Sequence, residues 1–130
     1  MKEPVWIREV EALAFHAQQI ALFGGSDGVR DRGLLDSALA RPQNLFAYAE
    51  RALNLADLAA AYAFGISSNH PFVDGNKRTA MEVAFVFLEF NGMAIIASQE
   101  EACATFLKLA AGELTEAELA LWFAEHTAAL

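Results

Sequence analysis

The chain is poor in the residues that mark several protein classes, and each shortage excludes something. Cys103 is the only cysteine in 130 residues, so neither an intramolecular disulfide nor a cysteine-based metal cage can form. That usage suits a reducing cytoplasm, the expected location, and Cys103 reads as a small buried hydrophobe on a helix. Basic residues are scarce: nine Lys and Arg face 17 Asp and Glu, for a formal charge of −8. Phosphate-backbone affinity comes from cations, so no direct nucleic-acid partner is expected. No uncharged apolar run reaches the roughly 20 residues of a membrane span, and the N-terminus lacks the basic-then-apolar order of a signal sequence, so no membrane role is expected. Linkers, repeats and low-complexity tracts are missing too, which leaves one domain over 1–130 around a single core. Apolar residues are abundant instead, at 55% with ten Phe and a mean hydropathy of +0.27. Part of that apolar surface is expected to meet a partner.

The periodicity is helical throughout. Ile7, Val10, Leu13, Ala14, Ala17, Ile20 and Ala21 form an apolar stripe that stops at Gly24-Gly25. Asp31 to Ala40 predicts a short helix ended by Arg41-Pro42, because a residue before proline avoids the helical region. The segment to Ala52 is ambiguous, with Phe46 and Tyr48 as anchors. Asn54 to Asn69 is Ala-rich and nearly uncharged, with Asn54 placed to cap and Asp57 in the first turn, which predicts a buried helix. Thr79 to Phe90 predicts a central helix whose acids, Glu82 and Glu89, share one solvent edge, and Asn91-Gly92 stops it. Met93 to Ala97 fits a strand fragment or an extended link. Ser98 with Glu101, and Thr115 with Glu118, are capping boxes that start two further helices. The expected architecture is an all-α, compact helical bundle.

Between the two buried central helices lies His70-Pro71-Phe72-Val73-Asp74-Gly75-Asn76-Lys77-Arg78-Thr79. A helix N-terminus offers unpaired N–H groups and the positive end of the dipole, so Gly75, Asn76, Lys77 and Arg78 can aim donors and charge at one anion. A nucleotide phosphate is the natural guest. Cations in a first turn oppose the dipole unless an anion is present, and that local conflict points to function. Alone, His70 reads as a polar residue at a helix C-terminus; beside Asp74 and the cations it reads as a general base. Asp74 can cap the following helix, and as a hard carboxylate beside a phosphate pocket it can also serve Mg2+. Phe72 is a core plug that anchors the loop, and Gly75 supplies a turn or a close ligand approach. The spacing is not that of a Walker A loop, since the only glycine close before Lys77 is Gly75. Arg30-Asp31 reads as a helix-start pair, with a place at the border of the site as the alternative; His16 and His126 read as surface or boundary histidines, and Trp6, Trp122 and Phe123 as packing residues.

His-Pro-Phe-x-Asp-Gly-Asn followed by Lys-Arg resembles the Fic/Doc signature, and Lys77 in place of a second glycine resembles the Doc ("death on curing") toxin subgroup. Gly24-Gly25-Ser26, Val29-Arg30-Asp31 and Leu34 to Gln43 resemble the Doc N-terminal region. The resemblance implies a Fic/Doc-type bundle in which His70 activates a target hydroxyl, Asp74 serves the metal, and Asn76, Lys77 and Arg78 hold the phosphates of ATP. His70, Asp74 and Arg78 are then the catalytic set.

Fic AMP-transferases usually carry a further Arg three residues after the first, where this chain has Met81. In Doc-like proteins the Lys accompanies a reversed nucleotide pose, so the resemblance implies γ-phosphate transfer to a protein hydroxyl, with elongation factor Tu as the expected target. AMP transfer by the same loop is the alternative, and a non-catalytic anion- or antitoxin-binding module is a second. No Glu is followed by Gly or Asn, so the internal inhibitory helix of many Fic proteins is not expected. Restraint is expected instead from a Phd-like antitoxin whose disordered tail folds onto the toxin.

Overall fold

The Ala-rich segment forms α3 (Leu55–Asn69), capped reciprocally by Asn54 and Asp57. Nine of its fifteen residues are buried, so it runs through the middle of the molecule. Small side chains let neighbours approach closely: a Cβ at Gly65 would lie 3.3 Å from the Ala38 backbone on α2 (Arg32–Tyr48). The computed structural model describes residues 1–130. Around α3 pack α2, α4 (Asn76–Phe90) and α6 (Glu116–Glu125), with α1 (Glu9–Phe23) against α4 and α5 (Gln99–Ala110) bridging α3 and α4. The bundle is helical as expected, and the His70–Gly75 loop lies between its two most buried helices.

One small ladder is added. Met93–Ile95 forms β1 and pairs antiparallel with β2 (Thr127–Ala129), Met93 opposite Ala129. Its partner lies more than thirty positions along the chain, and the three-residue Thr-Ala-Ala strand carries no alternating pattern, so β2 left no mark in the sequence.

Several boundaries differ from expectation for physical reasons. α2 does not end at Arg41-Pro42 but runs through Pro42 to Tyr48. Leu35, Ala38, Leu39 and Pro42 are all buried, a spacing of three and four that keeps one face in the core, and this packing outweighs the ladder bond that proline removes. Phe46 packs edge-on to Trp6, 5.7 Å between ring centroids, whereas Tyr48 is 80% exposed and anchors nothing. α4 starts at Asn76, three residues earlier than the apolar pattern, because Gly75 turns the chain into the helix with φ 76°. Ser98 caps α5 through the Glu101 N–H without the reciprocal bond of a full box, while the Thr115 box is complete. α1 is rolled from its expected face: Ala12, His16 and Gln19 are buried and Val10 is exposed. Cys103 is exposed on α5 and is not part of the core.

Candidate active site

His70 ends α3 in the left-handed conformation, φ 50° and ψ 55°, and is the one non-glycine residue with positive φ. Glycine ordinarily fills such a position, and another residue there costs about 1–2 kcal/mol. The side chain is exposed at the mouth of the cleft. Arg30 satisfies the carbonyls that α3 leaves unpaired, its Nε donating to the His70 oxygen at 2.7 Å and its Nη2 to the Asn69 oxygen at 2.9 Å. Arg30 therefore borders the site and is more than a helix-start residue; Asp31 does cap α2 through the Leu34 N–H.

The strand-like segment 28–31 straps the loop. The N–H groups of Arg30 and Asp31 both donate to the Pro71 oxygen, at 2.7 and 3.0 Å, and Val73 N–H donates to the Gly28 oxygen at 3.1 Å. Phe72 is fully buried and plugs the core as expected. Asn76, 5% exposed, is the keystone. Its Oδ1 accepts the Phe72 N–H at 3.0 Å and its Nδ2 donates to the Phe72 oxygen at 2.9 Å, which fixes the orientation of the amide. The remaining amide hydrogen faces His70 Nδ1 at 3.2 Å. In the neutral ring Nδ1 therefore holds the lone pair and Nε2 the proton.

Asp74 stands exposed beside this turn, its Oδ1 accepting the Gly75 N–H at 2.8 Å and its Oδ2 the Ser26 N–H at 3.3 Å. Those two bonds, Gly75 first, hold its carboxyl below the ordinary aspartate range, with smaller help from Arg78 and His16. Gly25 is required by closeness: a Cβ there would sit 2.6 Å from Asp74 Oδ2, and its φ is 115°.

α4 begins without a side-chain cap, so the N–H groups of Asn76, Lys77 and Arg78 meet no acceptor in the protein. The first turns of α1, α3, α5 and α6 carry acids, whereas that of α4 carries Lys77 and Arg78. Arg78 is half-buried: its Nη2 donates to the Gly24 oxygen at 3.0 Å and its guanidinium lies 5.5 Å from the Phe23 ring centroid, bracing the end of α1. Lys77 is exposed.

His70, Asp74, Gly75, Asn76, Lys77 and Arg78 thus line one cleft of about 360 Å³, and Phe72 supports it from below. An adjoining hollow of about 230 Å³ shares Lys77 and Arg78 and adds Gln19, Phe23, Met81 and Phe106. A slightly larger hollow, about 390 Å³ between the start of α3 and α6, offers only Arg51, carboxylates, an amide and apolar walls. A cation-bearing, uncapped helix start that shares a cleft with a histidine and an ionised carboxylate has the chemistry to hold an anion beside a group able to take up a proton.

Sequence reasoning missed His16. It is 3% exposed, its ring stacks on Phe72 at 3.9 Å between centroids, and its Nε2 lies 2.8 Å from the Asp74 oxygen. The signal was its spacing, four from Ala12 and three from Gln19, on a helix whose apolar stripe is too diffuse to fix the inward face. His126 is a boundary residue as expected, stacked on Trp122.

The chain belongs to the Fic/DOC family, whose model matches residues 6–88. It is 34% identical to "Protein kinase doc" of Escherichia phage P1 over 110 residues, 85% of this chain and 86% of that protein. It is 48% identical to "Toxin Doc" of Mycolicibacterium smegmatis over 75 residues, and that match spans 58% of each chain.

Proposed function

We propose that the protein is the toxin of a toxin–antitoxin pair and transfers the γ-phosphate of ATP to a serine or threonine hydroxyl of a protein, with elongation factor Tu as the expected target. The observation that carries the reading is the uncapped, cation-bearing start of α4 set beside His70 and the ionised Asp74. Phosphoryl transfer needs positioning and charge stabilisation, and this turn offers both. The names of the two relatives, a toxin and a protein kinase, support it.

In the proposed step the target hydroxyl gives its proton to His70 while its oxygen bonds to the γ-phosphorus; the bond from that phosphorus to the β-bridging oxygen breaks, and ADP leaves. The resting lone pair of His70 is at Nδ1 against Asn76, so proton uptake requires that 3.2 Å contact to be released. The free N–H groups of α4, Lys77 and Arg78 bind the transferring phosphate, and the adjoining hollow takes the remainder of the nucleotide between Phe23, Met81 and Phe106.

Magnesium fits the donor set. Asp74 is exposed, ionised and fixed by two backbone bonds, and this ion takes one or two carboxylates together with phosphate oxygens and water. No group of three His, Cys, Asp or Glu could hold a metal unaided. When bound, magnesium would neutralise charge on the phosphates. No helix is long and apolar enough to cross a membrane. A cytoplasmic site of action and a Phd-like antitoxin as partner belong to the same proposal.

The test is incubation of purified elongation factor Tu with the protein, ATP and magnesium, read by mass spectrometry and by translation in an extract. Phosphate on a single hydroxyl with arrested translation, both lost in His70→Ala, is the expected result. An unmodified factor alongside a phosphorylated other protein would replace the target, and no phosphorylated protein at all would overturn the kinase reading.

A further inference from the structure

We propose that His16, which lies outside the loop, is a positioning residue that aims the phosphate-binding turn by gripping it at two points. The inference rests on the phosphotransfer reading above. Its ring lies flat on Phe72, 6° between planes and 3.9 Å between centroids, and its Nε2 donates to the Asp74 oxygen at 2.8 Å. A carbonyl can only accept, so Nε2 carries a proton, and Nδ1 faces the Asp27 carboxylate, 3.8 Å away.

Each grip controls a different part of the site. Phe72 carries the backbone groups that Asn76 pairs with, so pressure on its ring holds the keystone. The Asp74 oxygen belongs to the peptide whose N–H, on Gly75, donates to the Asp74 carboxylate. Fixing that peptide plane fixes both the carboxylate and the direction in which α4 starts. No other donor reaches the Asp74 oxygen. The turn has little slack on this side, because a Cβ on Gly75 would come within 3.2 Å of Ile20 and 3.7 Å of His16 Nε2. A phenylalanine could supply the flat face and a glutamine the donor; histidine supplies both in one compact ring.

A buried histidine that merely filled space would affect stability alone, so the test separates the two roles. His16→Phe keeps the stack and removes the bond, and His16→Gln keeps a donor and removes the stack. For both, and for the parent, three quantities are measured: the thermal midpoint, kcat and KM for ATP in γ-label transfer, and the amide resonances of Gly75, Asn76 and Lys77 during titration with inorganic phosphate. A misplacement of about 1 Å at a reacting centre costs on the order of 100-fold in rate. His16→Phe is therefore expected to lose about that factor in kcat, to shift the three resonances, and to bind phosphate about 10-fold more weakly, about 1.4 kcal/mol. His16→Gln should recover part of the lost kcat. Unchanged kcat per folded molecule with unmoved resonances, whatever the thermal midpoint, overturns the proposal. If the parent itself transfers no label, the kinase reading fails, and the resonances of His16→Phe without phosphate still decide the positioning role. Should His16→Phe not fold, His16→Leu removes the same bond and takes its place under the same criteria.

Discussion

Asn76→Ala is the substitution whose cost can be worked most directly from the structure. Asn76 is 5% exposed and closes a ring with Phe72, accepting its N–H at 3.0 Å and donating to its oxygen at 2.9 Å. Phe72 is fully buried, so alanine leaves one donor and one acceptor without partners out of reach of bulk water. Each orphaned group costs about 1–3 kcal/mol, and a water admitted to the gap brings the pair toward the lower end, about 3 kcal/mol together. The 3.2 Å contact with exposed His70 adds little. With urea slopes of about 1–3 kcal/mol per molar for small domains, the unfolding midpoint should fall by on the order of 1–3 M. Asn76→Asp is the matched control. It can still accept the Phe72 N–H, but it turns a second oxygen toward the Phe72 carbonyl, and it should cost at least as much at neutral pH. Urea unfolding followed by circular dichroism measures both. An Asn76→Ala protein within about 0.5 kcal/mol of the parent would refute the assignment of Asn76 as the keystone.

Three other outcomes follow from particular geometries. At His70, φ 50° reverses the usual preference, so His70→Gly should be about 1 kcal/mol more stable than His70→Ala in urea, although alanine wins by about that amount inside helices; equal stabilities would contradict the left-handed cap. Gly25→Ala puts an L residue at φ 115° and a Cβ 2.6 Å from Asp74 Oδ2, so it should cost about 1–3 kcal/mol in backbone strain and, by displacing the carboxylate, lower magnesium-dependent transfer, and full activity would argue against a fixed Asp74. Burial, and secondarily Glu89, raise the pKa of Glu82 above the ordinary glutamate value. A raised folded-state pKa means stability present at acid pH and lost as pH rises through it, so Glu82→Gln should stabilise at about pH 7 and be neutral near pH 4, with a pH-independent difference as the contrary result.

The parts of the fold with strong local grammar were legible. The capping pairs at Asn54 and Thr115 and the uncharged run of α3 fixed two helices closely, because each signal lies within a few residues of the structure it makes. The failures share a cause, which is that distant packing outvoted local preference. Pro42 says stop, yet the buried face from Leu35 to Pro42 carries α2 onward. α1 has no sharp apolar face, so its roll is set by what waits at Phe72 and Asp74, and His16 turned inward. β2 exists only because β1 is near. The candidate site was legible in its members, since His70 to Arg78 are contiguous in the chain, across one loop and the first turn of α4. Its supports were not: Arg30, Gly25 and His16 reach it from 40 to 58 positions away, through contacts that no local pattern encodes.

Which phosphate the loop transfers is read directly with ATP labelled separately at the γ- and α-phosphates, incubated with magnesium, a bacterial lysate, and either the parent or His70→Ala. Phosphotransfer through His70 predicts that γ-label alone passes to a protein band with the parent and that neither label passes with His70→Ala. Transfer of α-label would contradict it, making the same loop an AMP-transferase despite Lys77 and Met81, and γ-label transfer that survives in His70→Ala would remove His70 from the chemistry.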